Sequence, residues 1–250
     1  MPTGTPVGPP APARTTAYGP DEAQVYDVRL PTAPLGASVL VVHGGFWRAA
    51  TDRTHAAAQA QALADAGFAV AVGEYRRAGM PGGGVPGTLD DVAALVAAVR
   101  SDPELPSPVI LVGHSAGGHL VAWAANQPWA AGLAGVVALA GCVDLQATDR
   151  MRLGADAARA FLDGGPAEAP QRWALADPAA GLPPRVPVRL LHGRDDDVVP
   201  LAVSEGYLAR CRASGADVTI HALDGCDHFA VIDPGTAAFS AVVAACRALL

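Results

Sequence analysis

Val109-Ile110-Leu111-Val112-Gly113-His114-Ser115-Ala116-Gly117-Gly118-His119 is the stretch from which the architecture can be read. Four consecutive apolar residues, three of them β-branched, run into a glycine. An alanine-rich segment with helical character follows over 115–126. A strand that is apolar at every position is covered on both faces, which implies a parallel sheet with helices on either side. Val39-Leu40-Val41-Val42 has the same character. Outward from these two runs, further strands are expected at 25–30, 38–43, 68–75, 108–113, 135–140, 187–192 and 217–223. Helices are expected at 51–66, 88–101, 115–126, 200–214 and 236–250. The alternation predicts an α/β fold with a doubly wound, mostly parallel sheet. Such sheets bind ligands beyond the carboxyl ends of their strands. Thr88-Leu89-Asp90-Asp91 has the capping-box pattern of a helix start, and Gly67 and Gly215 stand where helix C-caps belong.

Two segments break the rhythm. Residues 142–185 are too long for a simple crossover and contain Met151, Phe161 and Trp173; they are expected to form a short cap-like excursion that partly covers the site, or else two ordinary helices on the sheet face. Residues 1–20, rich in Pro, Thr, Ala and Gly, read as a flexible N-terminal tail without the charged start and apolar block of a secretory leader. The remainder, 21–250, is expected to be a single domain.

Composition removes several classes of function. The chain of 250 residues carries a net charge of -7 and is 51% hydrophobic. Arg76-Arg77 is its only adjacent basic pair, so a nucleic-acid partner is not expected, because phosphate binding needs a concentrated basic face. No apolar run approaches the ~20 residues that span a bilayer, so no membrane partner is expected either. All 17 basic residues are arginine; without lysine, Schiff-base chemistry and the phosphate-binding lysine of a P-loop are out of reach. The four cysteines fit no zinc spacing and read as reduced, buried thiols of a cytoplasmic protein. There is no H-E-x-x-H, so neither a metal nor another cofactor is called for.

The chemistry concentrates in Gly113-His114-Ser115-Ala116-Gly117. A serine on a sharp turn between strand and helix is presented as a nucleophile, and glycines two residues to either side avoid a clash across that turn. The helix N-terminus behind Ser115 favours developing negative charge. A serine hydroxyl needs a base within hydrogen-bond reach, and turns of this type are followed by an acid and then a histidine. His192 and His221 fall within expected strands. His228 falls in a loop after the last one and is the expected base, while His119 is expected to pack in the helix after Ser115. The acid is expected in Arg194-Asp195-Asp196-Asp197, where three adjacent carboxylates leave the choice open, with Asp144 as the fallback. An oxyanion needs backbone N–H donors. These are expected from Ala116 and from His43-Gly44-Gly45-Phe46-Trp47, with Gly45 first and Phe46 or Gly44 second. Trp47 and His114 are expected to line the substrate pocket.

The chain from residue 21 onward resembles the esterase and arylformamidase branch of the α/β-hydrolases. His43-Gly44-Gly45-Phe46-Trp47 is similar to the H-G-G-x-W motif of kynurenine formamidases, and residues 113–119 to their nucleophile turn. The run from His192 to Pro200 matches H-G-x-x-D-x-x-V-P, which implies Asp196 as the acid. Asp227-His228-Phe229 matches the histidine loop. The resemblance implies a serine hydrolase acting on a small-molecule ester or amide through an acyl-enzyme, with N-formylkynurenine among the substrates to consider. Acyl transfer, cyclisation or thioester cleavage by the same triad is the alternative enzyme reading. A ligand-binding protein on a hydrolase scaffold is the alternative outside catalysis.

Overall fold

The computed structural model of the chain describes residues 9–250. The strands are β1 (Arg14–Ala17), β2 (Val25–Arg29), β3 (Ser38–Val42), β4 (Ala69–Gly73), β5 (Val109–His114), β6 (Gly135–Leu139), β7 (Val188–Gly193) and β8 (Val218–Leu223). They form one sheet in the order β1-β2-β4-β3-β5-β6-β7-β8. From β4 to β8 every pairing is parallel, whereas β1 and β2 are antiparallel additions at one edge. The all-apolar strands β3 and β5 lie side by side in the middle, buried on both faces. Their side chains alternate between two cores. Leu40, Val42 and Leu111 face one and Val39, Val41, Ile110 and Val112 face the other, as the period of two requires.

Helices cover both faces. The second core is closed by α1 (Ala57–Asp65) and α8 (Ala237–Arg247), through residues such as Leu63, Phe239 and Val242. The first is closed by α2 (Gly87–Ser101), α3 (Ala116–Ala125) and α7 (Ala202–Ala213). Burying these apolar side chains contributes about 1.5–3 kcal/mol each before chain entropy is offset.

Two expectations are corrected. The tail expected over 1–20 ends sooner, because Arg14–Ala17 pairs with β2 and Arg14 bonds to Asp102 and Glu104; residues 1–8 lie outside the described residues. The capping box at Thr88 does not form, because Asp91 is taken by the Arg76 guanidinium and by Gln24, while the Thr88 hydroxyl donates to the Arg76 carbonyl. Residues 142–185 form α4 (Leu145–Arg150), α5 (Leu153–Leu162) and α6 (Pro170–Ala176). This segment is anchored in the first core by Ala157, Phe161, Trp173 and Ala176. A left-handed stretch over residues 154–156 opens α5 and brings Gly154 so close to the Phe46 ring that a Cβ there would lie 2.7 Å from it.

Candidate active site

Ser115 stands between β5 and α3 with φ 55 and ψ -117. A non-glycine residue in that region costs about 1–3 kcal/mol and persists only where its surroundings enforce it. Here the Ser115 amide donates to Leu139 at 2.9 Å, and its carbonyl accepts from Cys142 at 3.1 Å and His119 at 3.2 Å. The flanking glycines are needed for space. A Cβ on Gly117 would lie 2.0 Å from the Val42 carbonyl oxygen, and one on Gly113 2.2 Å from that of Gly117. Beneath the serine, burial pushes the Cys142 thiol up to about 12, and the nearby Ser115 hydroxyl draws it down. It is a neutral packing group.

Three loops at the carboxyl ends of the strands converge here. His228 lies after β8 and its Nδ1 donates to Asp196 Oδ2 at 2.7 Å. That bond leaves the lone pair on Nε2, the form a general base needs. Among the three adjacent carboxylates Asp196 alone is buried; Asp195 and Asp197 are exposed. Burial pushes the Asp196 carboxyl up, but His192, His228 and the Val199 amide together hold it well below the usual carboxylate range. Asp144 is engaged elsewhere: it caps α4 through the Ala147 amide and pairs with Arg210 at 2.6 Å.

Ser115 and His228 line one cavity of about 240 Å³, together with Gly45, Phe46, Thr51, His55, His114, Val198 and Phe229. A larger groove of about 630 Å³ between α1 and α8 has only Ser240 and Arg247 among its apolar lining, and nothing there could serve as a base. His114 lines the same cavity as Ser115. Its Nε2 donates to the His228 carbonyl at 2.9 Å, which ties the Ser115 turn to the His228 loop. Burial, with His228 next to it, pushes His114 down to about 3, so the ring is neutral.

Trp47 is corrected. It is fully buried, stacked on Phe161 at 4.8 Å, and its indole N–H donates to His119 Nδ1 at 3.2 Å. Against α5 the indole combines full burial of its apolar body with a hydrogen bond for its N–H. His119 donates in turn to Ala176 at 2.9 Å, the packing role expected of it. Phe46 turns the other way, into the cavity. Residues 142–185 supply none of the cavity lining among the described residues; the segment supports Phe46 and Trp47 from behind.

The amides of Gly45 and Phe46 donate to no protein acceptor among the described residues, and Ala116 opens α3, where the first amides have no helical partner. The loop that carries Gly45 is held by a buried cluster that the sequence did not reveal. His43 Nε2 lies 2.9 Å from Glu74 Oε1, and its Nδ1 lies 2.9 Å from the Gly44 carbonyl oxygen. Tyr75 stacks on His43 at 4.5 Å and donates to its carbonyl at 2.9 Å. Glu74 also binds Arg77 and the Arg53 amide. Thr51, His55 and Phe229 were also missed, since only the fold brings them to the cavity.

The strand order, the helices on both faces and the sharp Ser115 turn at the carboxyl edge define an α/β-hydrolase fold. Within that class the chain belongs to the BD-FAE family, whose model matches residues 26–209. A truncated carbohydrate esterase from gut microbiota is similar over 97% of this chain and 99% of its own, with a TM-score of 0.78 and 21% identity. Esterase B from Lactobacillus rhamnosis covers 96% of this chain and 87% of its own, at a TM-score of 0.77 and 19% identity. An esterase/lipase from an uncultured bacterium covers 90% and 80%, at 0.73 and 22%. No curated protein matches this sequence.

Proposed function

We propose that this protein is a serine hydrolase that cleaves small-acyl esters, or activated amides such as aryl formamides, through an acyl-enzyme on Ser115. The observation that carries the reading is the His228–Asp196 bond of 2.7 Å in the wall of the cavity that also holds Ser115. Ser115 Oγ attacks the substrate carbonyl carbon as its proton passes to His228 Nε2. Asp196 holds the ring and stabilises the imidazolium. The oxyanion is received by the amides of Ala116 and Gly45, with Phe46 as a third donor. As the tetrahedral centre collapses, the carbon–leaving-group bond breaks and His228 returns the proton to the departing oxygen or nitrogen. Water then repeats the sequence, releasing the carboxylic acid and restoring the serine. Acyl transfer differs only in the nucleophile of that second half.

Cavity size supports a short acyl group. About 240 Å³ is below the ~300–1,000 Å³ of sites that enclose drug-sized ligands, and Phe46 occupies one wall. The leaving group is better accommodated at the rim, where Phe229 is exposed beside His55, than against residues 142–185. Structural relatives that are esterases support the same chemistry, among them a Thermogutta terrifontis esterase phosphonylated by sarin. Hydrolysis of p-nitrophenyl esters from acetyl to octanoyl, alongside N-formylkynurenine, tests the reading. Acetyl turnover that falls steeply with chain length is expected. Formate release would favour the arylformamidase form, and inertness toward every substrate would contradict hydrolysis.

A further inference from the structure

Asp196 has two histidine neighbours, and only one faces the cavity. His192, the penultimate residue of β7, is fully buried. Its Nε2 donates to the Val199 carbonyl at 2.7 Å and lies 3.3 Å from Asp196 Oδ2. Both neighbours are acceptors, so Nε2 carries the proton. Nδ1 is then the acceptor for the Ser204 hydroxyl of α7, 2.8 Å away. The Val199 amide donates back to Asp196 Oδ1 at 2.8 Å. A closed circuit results, in which His192 holds the carbonyl of the residue whose amide holds the acid. The same proton faces the oxygen that receives His228.

A buried histidine with both nitrogens satisfied is commonly a packing residue. What sets this one apart is its acceptor set, because each polar contact it makes ends on the acid, on the acid's loop, or on Ser204, which fixes its tautomer. We infer that His192, held by Ser204, is a positioning residue that fixes the Asp196 carboxylate for His228. The inference rests on the proposed triad. Other titratable groups facing this assembly are His114 and His55 toward His228, and the thiols of Cys142 and Cys226 toward Asp196. None of them bonds to the carboxylate.

The test compares wild-type protein with His192→Leu, His192→Gln and Ser204→Ala. Glutamine can offer an N–H where Nε2 stood, and leucine cannot. Two readouts are taken: the downfield proton resonance of His228 Nδ1–H by NMR, and kcat and KM on p-nitrophenyl acetate. In His192→Leu the resonance is expected to broaden or move upfield, with kcat reduced roughly tenfold and KM little changed. His192→Gln is expected to recover most of both. Ser204→Ala is expected to shift them the same way by a smaller amount, and it serves if the leucine variant does not fold. The inference is overturned if the resonance and kcat are unchanged in the variants, or if glutamine rescues no better than leucine. A wild-type protein that shows the resonance but no turnover would instead count against the hydrolase reading, and the resonance would still decide the role of His192.

Discussion

His228 and Asp196 lie 32 residues apart in sequence and are joined by a hydrogen bond of 2.7 Å from Nδ1 to Oδ2. The bond fixes which imidazole nitrogen can take a proton from Ser115. Asp196→Asn is therefore expected to lower kcat by about 10³–10⁴ by permitting the wrong tautomer. Asp144→Asn, Asp195→Asn and Asp197→Asn should each stay within a few fold, because their carboxylates face Arg210 or solvent. Steady-state kinetics of the four variants checks this; a crippled Asp144→Asn beside a mild Asp196→Asn would contradict the assignment.

Phe46 and Trp47 are neighbours in sequence with opposite roles. Phe46→Ala opens the acyl wall and is expected to raise kcat/KM for octanoyl relative to acetyl p-nitrophenyl esters. Trp47→Ala removes a ring stacked on Phe161 and should cost about 3–5 kcal/mol of stability while leaving the chain-length profile alone. Ester series together with denaturant unfolding separate the two outcomes. A changed chain-length profile in Trp47→Ala would return that side chain to the pocket.

Glu74 is buried beneath the loop that carries the proposed oxyanion donors. Glu74→Ala leaves Arg77 without its carboxylate, and breaking a buried pair on one side costs about 3–5 kcal/mol. Loosening of His43 and Gly44 should then depress kcat more than it raises KM. If activity at a temperature well below the unfolding transition equals that of the wild type, the cluster does not support the loop.

Acid stability follows from buried neutral histidines. Burial pushes His43 and His114 down to about 3 and His119 to about 4, from an ordinary 6.5. Below pH ~6.5 the unfolded chain binds protons that the folded chain refuses, so stability falls as pH drops, by up to about 1.4 kcal/mol per unit for each ring. Above that pH these rings contribute no slope. Asp196 acts in the same direction further down. Its carboxyl is held low in the fold, so its contribution is present above the unfolded carboxylate range near ~4 and is lost as pH falls below it. Denaturant midpoints from pH 8 to 4.5 should be level and then decline, with proton uptake on unfolding in the acidic range. A flat profile would mean the rings are charged or hydrated in the fold.

Much of this was legible because the decisive signals are local. Val109–Val112 and Val39–Val42 are apolar at every position, which only a doubly covered strand explains, and Gly113 and Gly117 mark the turn by the space they leave. The position of Asp196 followed from its resemblance to a known loop, whereas its burial between Asp195 and Asp197 is a tertiary fact. Strand β1 was hidden because Arg14–Ala17 has no apolar alternation; it is held at the sheet edge by Arg14 pairing with Asp102 and Glu104, some ninety residues away. Trp47 was misread for a related reason. A residue beside two glycines suggests a pocket wall, but which way its ring turns is set by Phe161 and His119, both more than 70 positions distant.

The central claim is that Ser115 is the activated nucleophile, and its most direct measurement is covalent labelling by a fluorophosphonate, read by intact-protein and peptide mass spectrometry. The account predicts stoichiometric modification of the wild type at Ser115 with loss of the fluoride. It predicts no modification of Ser115→Ala and greatly slowed modification of His228→Ala. Equal labelling of Ser115→Ala, or a modified peptide that excludes residue 115, would contradict it.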